Sequence, residues 1–205
     1  AQPKYWAEVY SRYLQSDQAY KTELTFRSGD SIHTALPTGI RGTILADGRA
    51  LQFRQLPDVL MRYQLDYTSD FSPELVYTFQ TTDFKRQQLA LNFKPLPAFQ
   101  VAGSQISQGE GGQLYLSESL LLTADEELII MISDTQKQTA SIELSGPVQI
   151  DTLHISGSQL QALQNTGSGS IYLLSKKRGY ISDKDAHWTY LLEYYTDEQV
   201  LEIVR

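Results

Sequence analysis

Chemistry needs particular side chains held close together, and the histidines are the first test. His33, His154 and His187 are far apart, and none has a second histidine four residues on. A zinc-binding helix pair is therefore not encoded. The chain has no cysteine. That removes thiolate nucleophiles, disulfide scaffolds and cysteine-ligated metal centres. Serines are plentiful, but no Gly-x-Ser-x-Gly elbow presents one as a nucleophile. Ser156-Gly157-Ser158 and Ser168-Gly169-Ser170 read as turns. With neither a phosphate-cradling P-loop nor a Rossmann glycine pattern, no cofactor is implied.

Acidic groups give two further candidates. Asp183, Asp185 and His187 alternate just before Trp188, and on an extended strand they share a face. Oxygen ligands at that spacing hold cations in some proteins. Here Lys184 sits inside the cluster, and the glycine and distal glutamate of an EF-hand loop are missing. The segment reads as a polar hairpin turn, and the fold is expected to be independent of metal. Asp125-Glu126-Glu127 precedes an apolar run. Paired carboxylates hydrolyse glycosides when they face each other across a cleft. Consecutive residues of an extended chain point to opposite sides, so this cluster reads as a solvated turn. On these grounds the chain is expected not to be an enzyme.

Aromatic residues are the stronger signal for binding. There are 13 Tyr, 7 Phe and 2 Trp. Flat rings stack on the apolar faces of sugars and also anchor protein interfaces. Trp188, Tyr190 and Tyr194 fall on one face of a strand pattern, and they are the candidate ligand-binding residues. Leu192 lies between them and assigns the same face to a core. Near the other end, Trp6, Val9, Tyr10, Tyr13 and Leu14 recur at three- and four-residue spacing. That stripe predicts a helix over residues 5–15 docked on the body of the protein.

The elements that must position these residues read as strands. Tyr20, Thr22, Leu24 and Phe26 alternate against Lys21, Glu23, Thr25 and Arg27, the pattern of a half-buried strand. Asp47-Gly48 between residues 43–46 and 49–53 predicts a type I′ hairpin, placing Ile44 opposite Leu51 and Leu45 opposite Ala50. Alternation continues through Met61–Tyr67, Leu75–Phe79 and Leu89–Phe93. Lys94-Pro95-Leu96-Pro97 interrupts it, since two prolines remove two ladder donors. A second series follows. It includes Leu128–Ile132, apolar throughout as in a strand buried on both faces, and closing strands at 171–175, 180–181, 188–195 and 200–204. Leu160 and Leu163 are expected to point inward from a helical turn. The predicted fold class is mostly β: antiparallel β-sandwich units with a short N-terminal helix. The domains are 1–97 and 98–205.

Composition narrows the partners. The 205 residues carry a formal net charge of −7. An acidic surface repels phosphate backbones and anionic headgroups, so nucleic acid and bare membrane are poor partners. The one dense basic run, Lys176-Lys177-Arg178, precedes Gly179 and reads as a solvated hairpin tip. No apolar stretch approaches the roughly 20 residues that span a bilayer as a helix. Ala1-Gln2-Pro3 lacks an initiator Met, so the chain reads as processed or trimmed.

The segment Ile155-Ser-Gly-Ser-Gln-Leu160-Gln-Ala-Leu163, followed by Gly167, Gly169, Ile171 and Leu173, carries a resemblance. It resembles the strand, helical turn and strand near the end of Ig-like domains in exported bacterial proteins, particularly lipoproteins of the Bacteroidota. The resemblance implies an Ig-like second half, with Leu160 and Leu163 plugging the bottom of the sandwich. It also implies an exported, periplasmic or cell-surface protein. The lipobox cysteine of such lipoproteins is absent, so a lipid anchor would lie before Ala1. The expected function is a non-enzymatic binding or structural module of a bacterial cell envelope with a protein or glycan partner. The alternative is a glycan-binding or glycan-processing protein that uses an aromatic and acidic cleft.

Overall fold

The computed structural model describes residues 4–56 and 60–205. Among them the regular structure is almost entirely strand. The first nine strands are β1 (Lys4–Leu14), β2 (Ala19–Gly29), β3 (Leu36–Pro37), β4 (Thr43–Ala46), β5 (Arg49–Ala50), β6 (Gln52–Leu56), β7 (Leu60–Thr68), β8 (Glu74–Gln80) and β9 (Gln88–Asn92). Then come β10 (Phe99–Val101), β11 (Gln105–Ser107), β12 (Gly112–Leu122), β13 (Glu126–Ser133), β14 (Thr139–Ser145), β15 (Val148–Ile155), β16 (Gly167–Ser182), β17 (Ala186–Tyr195) and β18 (Gln199–Val204). No helix among the described residues is long and apolar enough to cross a membrane.

Residues 5–15 are not a helix. They form β1, with Ala7, Val9, Ser11 and Tyr13 all buried. Alanine and serine at two of these inward positions hide the period of two. The outward Trp6 and Tyr10 then complete a false helical stripe. The residue types favour the strand, because tyrosine, tryptophan and valine suit a pleated surface.

The chain divides into two compact units. The first contains residues 1–13, 17–94 and 177–192; the second contains 14–16, 95–176 and 193–205. One division falls between Lys94 and Pro95. The second unit is thus not the whole of 98–205, because residues 177–192 return to the first. Nothing in composition marks that return: β16 and β17 run through residues 177 and 192 without a break.

The first unit is β-sandwich-like. One sheet follows the order β17, β1, β2, β7, β6, with β16 beside β17 and β3 beside β2. The other follows β5, β4, β8, β9. Strand β2 buries Tyr20, Thr22, Leu24 and Phe26, and β8 buries Leu75, Tyr77 and Phe79. The Thr22 and Tyr77 hydroxyls hydrogen-bond to each other inside that core. The expected hairpin is present. Asp47 and Gly48 have φ of 47° and 77°, Leu45 pairs with Ala50, and the Leu51 amide donates to the Ile44 carbonyl at 2.9 Å.

The second unit has a three-stranded antiparallel sheet in the order β10, β12, β15. Its other sheet places β18 beside β11, β16 beside β18, β13 beside β16 and β14 beside β13. Strands β11 and β18 are parallel, with Ile106 opposite Ile203. Leu128, Ile129, Ile130 and Ile132 are all buried, as is Leu160 in the 3₁₀ turn Gly157–Leu160 and Leu163 after it. One buried carboxylate organises this unit. Asp134 Oδ1 accepts from the Gln136 and Gln138 amides, both at 2.9 Å. Its Oδ2 accepts from the Gln164 and Asn165 amides and from Asn165 Nδ2, at 3.1, 3.0 and 2.9 Å.

Candidate functional site

The outer face of the larger sheet in the first unit carries the chemistry. Its composition follows from alternation. Because Ala7, Val9 and Ser11 point inward, β1 turns Trp6, Glu8 and Tyr10 outward. By the same rule β2 turns Lys21, Glu23 and Thr25 outward. On β17 Ala186 and Trp188 are fully buried, which leaves His187 and Thr189 on the outer side. Glu8, Tyr10, Glu23, Thr25, Arg178 and Thr189 line a groove of about 310 Å³. Tyr190 and Leu191 contribute to its wall.

Hydroxyls, carboxylates, a guanidinium and tyrosine rings thus meet on one sheet face. Glu23 is held in place at one side. Lys21 Nζ lies 3.1 Å from its Oε1, and Arg62 Nη1 lies 2.8 Å from its Oε2. Burial pushes the Glu23 carboxyl upward, but the hydrogen bonds and charges of Lys21 and Arg62 outweigh it and hold the group below its ordinary range. It therefore stays an acceptor at neutral pH.

A ladder of three rings adjoins the groove along the same strands. Trp6 stacks on His187 with centroids 4.4 Å apart and planes 24° apart. Tyr180 stacks on His187 at 5.8 Å and 15°. His187 Nδ1 contacts the Tyr180 hydroxyl and lies 2.8 Å from Ser182 Oγ. Trp6 Nε1 donates to the Gly29 carbonyl at 3.4 Å. Tyr180 is 57% exposed. Trp6 and Glu8 lie two residues apart on β1, or roughly 7 Å, which links ladder and groove.

The three residues singled out by sequence are not gathered into one site. Trp188 is wholly buried in the first unit, with Phe79, Phe84 and Phe26 at centroid distances of 5.0, 5.4 and 6.0 Å. Its ring offers no open face. Leu192 is buried as well, in keeping with the core reading of that strand face. Tyr194 is buried and belongs to the second unit. Tyr190 is half-buried and lines the groove.

Both carboxylate oxygens of Asp183 are engaged. Oδ1 accepts from the Asp185 and Ala186 amides at 3.1 and 2.8 Å, and Oδ2 takes Arg86 Nε at 2.7 Å. Asp185 Oδ2 accepts from the Lys85 amide at 3.1 Å. Burial raises the Asp183 carboxyl; the Arg86 guanidinium and the two amides more than offset this and lower it. Among the described residues no group of three or more His, Asp or Glu is placed to hold a metal ion. Glu126 is buried and accepts from the Thr123 amide at 2.9 Å, closing the turn before β13.

The basic run is also placed differently from its expected position. Lys176, Lys177 and Arg178 lie within β16, not at a hairpin tip, and Arg178 reaches the groove. The turn falls later, where the Asp183 amide donates to the Ala186 carbonyl at 3.0 Å. Sequence reasoning missed Trp6 and His187 as neighbours because 181 positions separate them. The available signal was the alternation of β1 and β17, from which both residues emerge on outward positions. Comparison with protein-family models finds no match, and comparison with curated proteins finds no significant one.

Proposed function

We propose that this chain is a non-enzymatic binding module of a bacterial cell envelope, with its ligand, protein or glycan, received on the outer sheet face of the first unit. The observation that carries the reading is the groove of Glu8, Tyr10, Glu23, Thr25, Arg178 and Thr189 beside the Trp6–His187–Tyr180 ladder. Such a surface offers donors, acceptors and ring edges in fixed register, which is what recognition of a hydroxylated or peptide surface requires. Binding is favoured over catalysis by the state of an acid on this face. Glu23, which lines the groove, is shifted downward and tied to Lys21 and Arg62. A general acid needs the opposite shift.

An Ig-like second unit is part of the same reading. It is supported by the parallel β11–β18 pair, by the two sheets that share no strand, and by the 3₁₀ turn leading from β15 toward β16 with Leu160 and Leu163 buried. Export, with a lipid anchor before Ala1, rests on the resemblance of residues 155–173 and on the acidic surface.

Retention on a glycan array and in affinity capture from envelope extracts tests the binding face. Tyr10→Ala and Arg178→Ala should each abolish retention while leaving the thermal midpoint within a few degrees of the parent. Retention unchanged in both variants refutes the site. Recovery of the native protein only in the cytosol refutes the envelope assignment.

A further inference from the structure

We infer that the second unit carries a strand-acceptor groove along β15, built for an extended, alternately apolar and basic segment of a partner protein. This inference stands apart from the first unit's groove and does not depend on it.

Strand β15 has β12 on one side; among the described residues no strand lies on the other. Strand β14 likewise pairs, among the described residues, only with β13. Between these two edges lies a cleft of about 720 Å³. Seven consecutive residues of β15, Val148 to His154, line it. A strand edge of that length presents alternate N–H and C=O groups, a ready template for one more strand.

Edges are normally blocked by lysine, by proline, by a bulge in the edge strand or by shortness. Strand β15 runs for eight residues and contains neither lysine nor proline. The register irregularity in this sheet sits in β12, between Tyr115 and Leu120, and leaves the outer side of β15 untouched. The wall opposite is β14, which gives the cleft Ile142, Glu143 and Leu144. Ile130, Ile142, Ile150 and Leu153 are buried beneath the cleft, while Leu144 and Val148 are left half-exposed at its mouth. Alternate apolar side chains of an added strand would cover those two.

Charge selects the occupant. Glu143 and Asp151 line the cleft and are exposed, whereas no lysine or arginine among the described residues lines it. The whole chain is acidic, at −7. Lysine or arginine on the outward positions of the incoming strand would meet both carboxylates. The same feature disfavours a second copy, since pairing β15 with itself would bring two sets of these acids into one groove. Main-chain bonding gives affinity in this mode, and the alternating side chains give selectivity.

The test uses the full chain and a synthetic peptide that alternates valine and isoleucine with lysine and threonine. Controls replace its lysines with glutamate, or place proline at alternate positions so that it cannot pair. Calorimetry should show binding of the basic peptide alone. Hydrogen exchange should show new protection confined to alternate amides of residues 148–155. Glu143→Lys with Asp151→Lys should weaken binding at least roughly tenfold, as expected when attractive rim charges become repulsive. Because both residues are exposed, the variant should keep its thermal midpoint. Failure to bind at about 1 mM, a concentration that would reveal even a weak complex, overturns the inference. So does equal binding of the proline peptide, or a dimer in sedimentation that buries β15.

Discussion

Trp188 offers the sharpest quantitative test of the first unit's core. Its indole sits among Phe26, Phe79 and Phe84 with no exposure, and its Nε1 has no hydrogen-bond partner among the described residues. Two opposing quantities follow for Trp188→Phe. The change removes two ring carbons, at roughly 0.8 kcal/mol per methylene-sized group, a loss of about 1.6 kcal/mol. It also removes a buried N–H whose desolvation without a partner costs about 1–3 kcal/mol. The two nearly cancel, so Trp188→Phe should lie within about 1.5 kcal/mol of the parent. Trp188→Ala has no such offset and should cost about 3–5 kcal/mol through the cavity it leaves. Urea unfolding followed by far-ultraviolet circular dichroism gives both values without depending on the removed fluorophore. If Trp188→Phe is as damaging as Trp188→Ala, the indole nitrogen is not an energetic burden and the reasoning fails.

Asp134, Gly48 and Gly111 give three further outcomes. Burial pushes Asp134 upward, but the Asn165 side chain and the amides of Gln138, Gln136 and Gln164 outweigh it and hold it at about 2. A lowered carboxyl stabilises the fold above its ordinary value near 3.9 and loses that contribution as pH falls toward the folded value. The thermal midpoint of the parent should therefore drop more steeply than that of Asp134→Asn between about pH 4 and pH 2, the two curves converging at the acid end; parallel curves would refute this. At Gly48, φ is 77° and an added Cβ meets nothing within 4 Å, so Gly48→Ala should cost only the left-handed backbone penalty of about 1–2 kcal/mol. At Gly111, φ is 89° and the Cβ would fall 1.8 Å from the Ile155 carbonyl oxygen, so Gly111→Ala should be markedly worse by thermal denaturation.

Where local pattern and tertiary demand agree, the chain is readable without coordinates. The alternation of Tyr20, Thr22, Leu24 and Phe26 marks a strand that buries all four. The Asp47-Gly48 turn appears with both expected positive φ values. In β1 the pattern fails because small residues at Ala7 and Ser11 carry no hydrophobic signal, although packing requires them to be inside. The groove is less legible for a different reason. Trp188 is a candidate by residue type, and Leu192 on the same strand face marks that face as core, where the structure buries both. The groove depends on strands β1, β2, β16 and β17 becoming neighbours, and neighbour order in a sheet leaves no local trace. Asp134 was equally silent, since three of its five donors are groups of Gln164 and Asn165, about thirty positions along the chain.

The return of residues 177–192 to the first unit has a consequence for how the protein is made. A ribosome finishes Phe26, Phe79 and Phe84 long before it reaches Trp188, the ring they close around. Throughout synthesis of residues 95–176, the nascent first unit lacks the strand segments that complete it. Its aromatic interior stays open to solvent for that interval, while the second unit is being synthesised. Pairings of such long sequence separation form slowly, and unfinished apolar surface invites aggregation. Production in the cell should therefore depend on holdase chaperones more strongly than the stability of the finished protein would suggest. A truncation that ends at residue 94 should be insoluble, because it is an interrupted fold with its last strands missing.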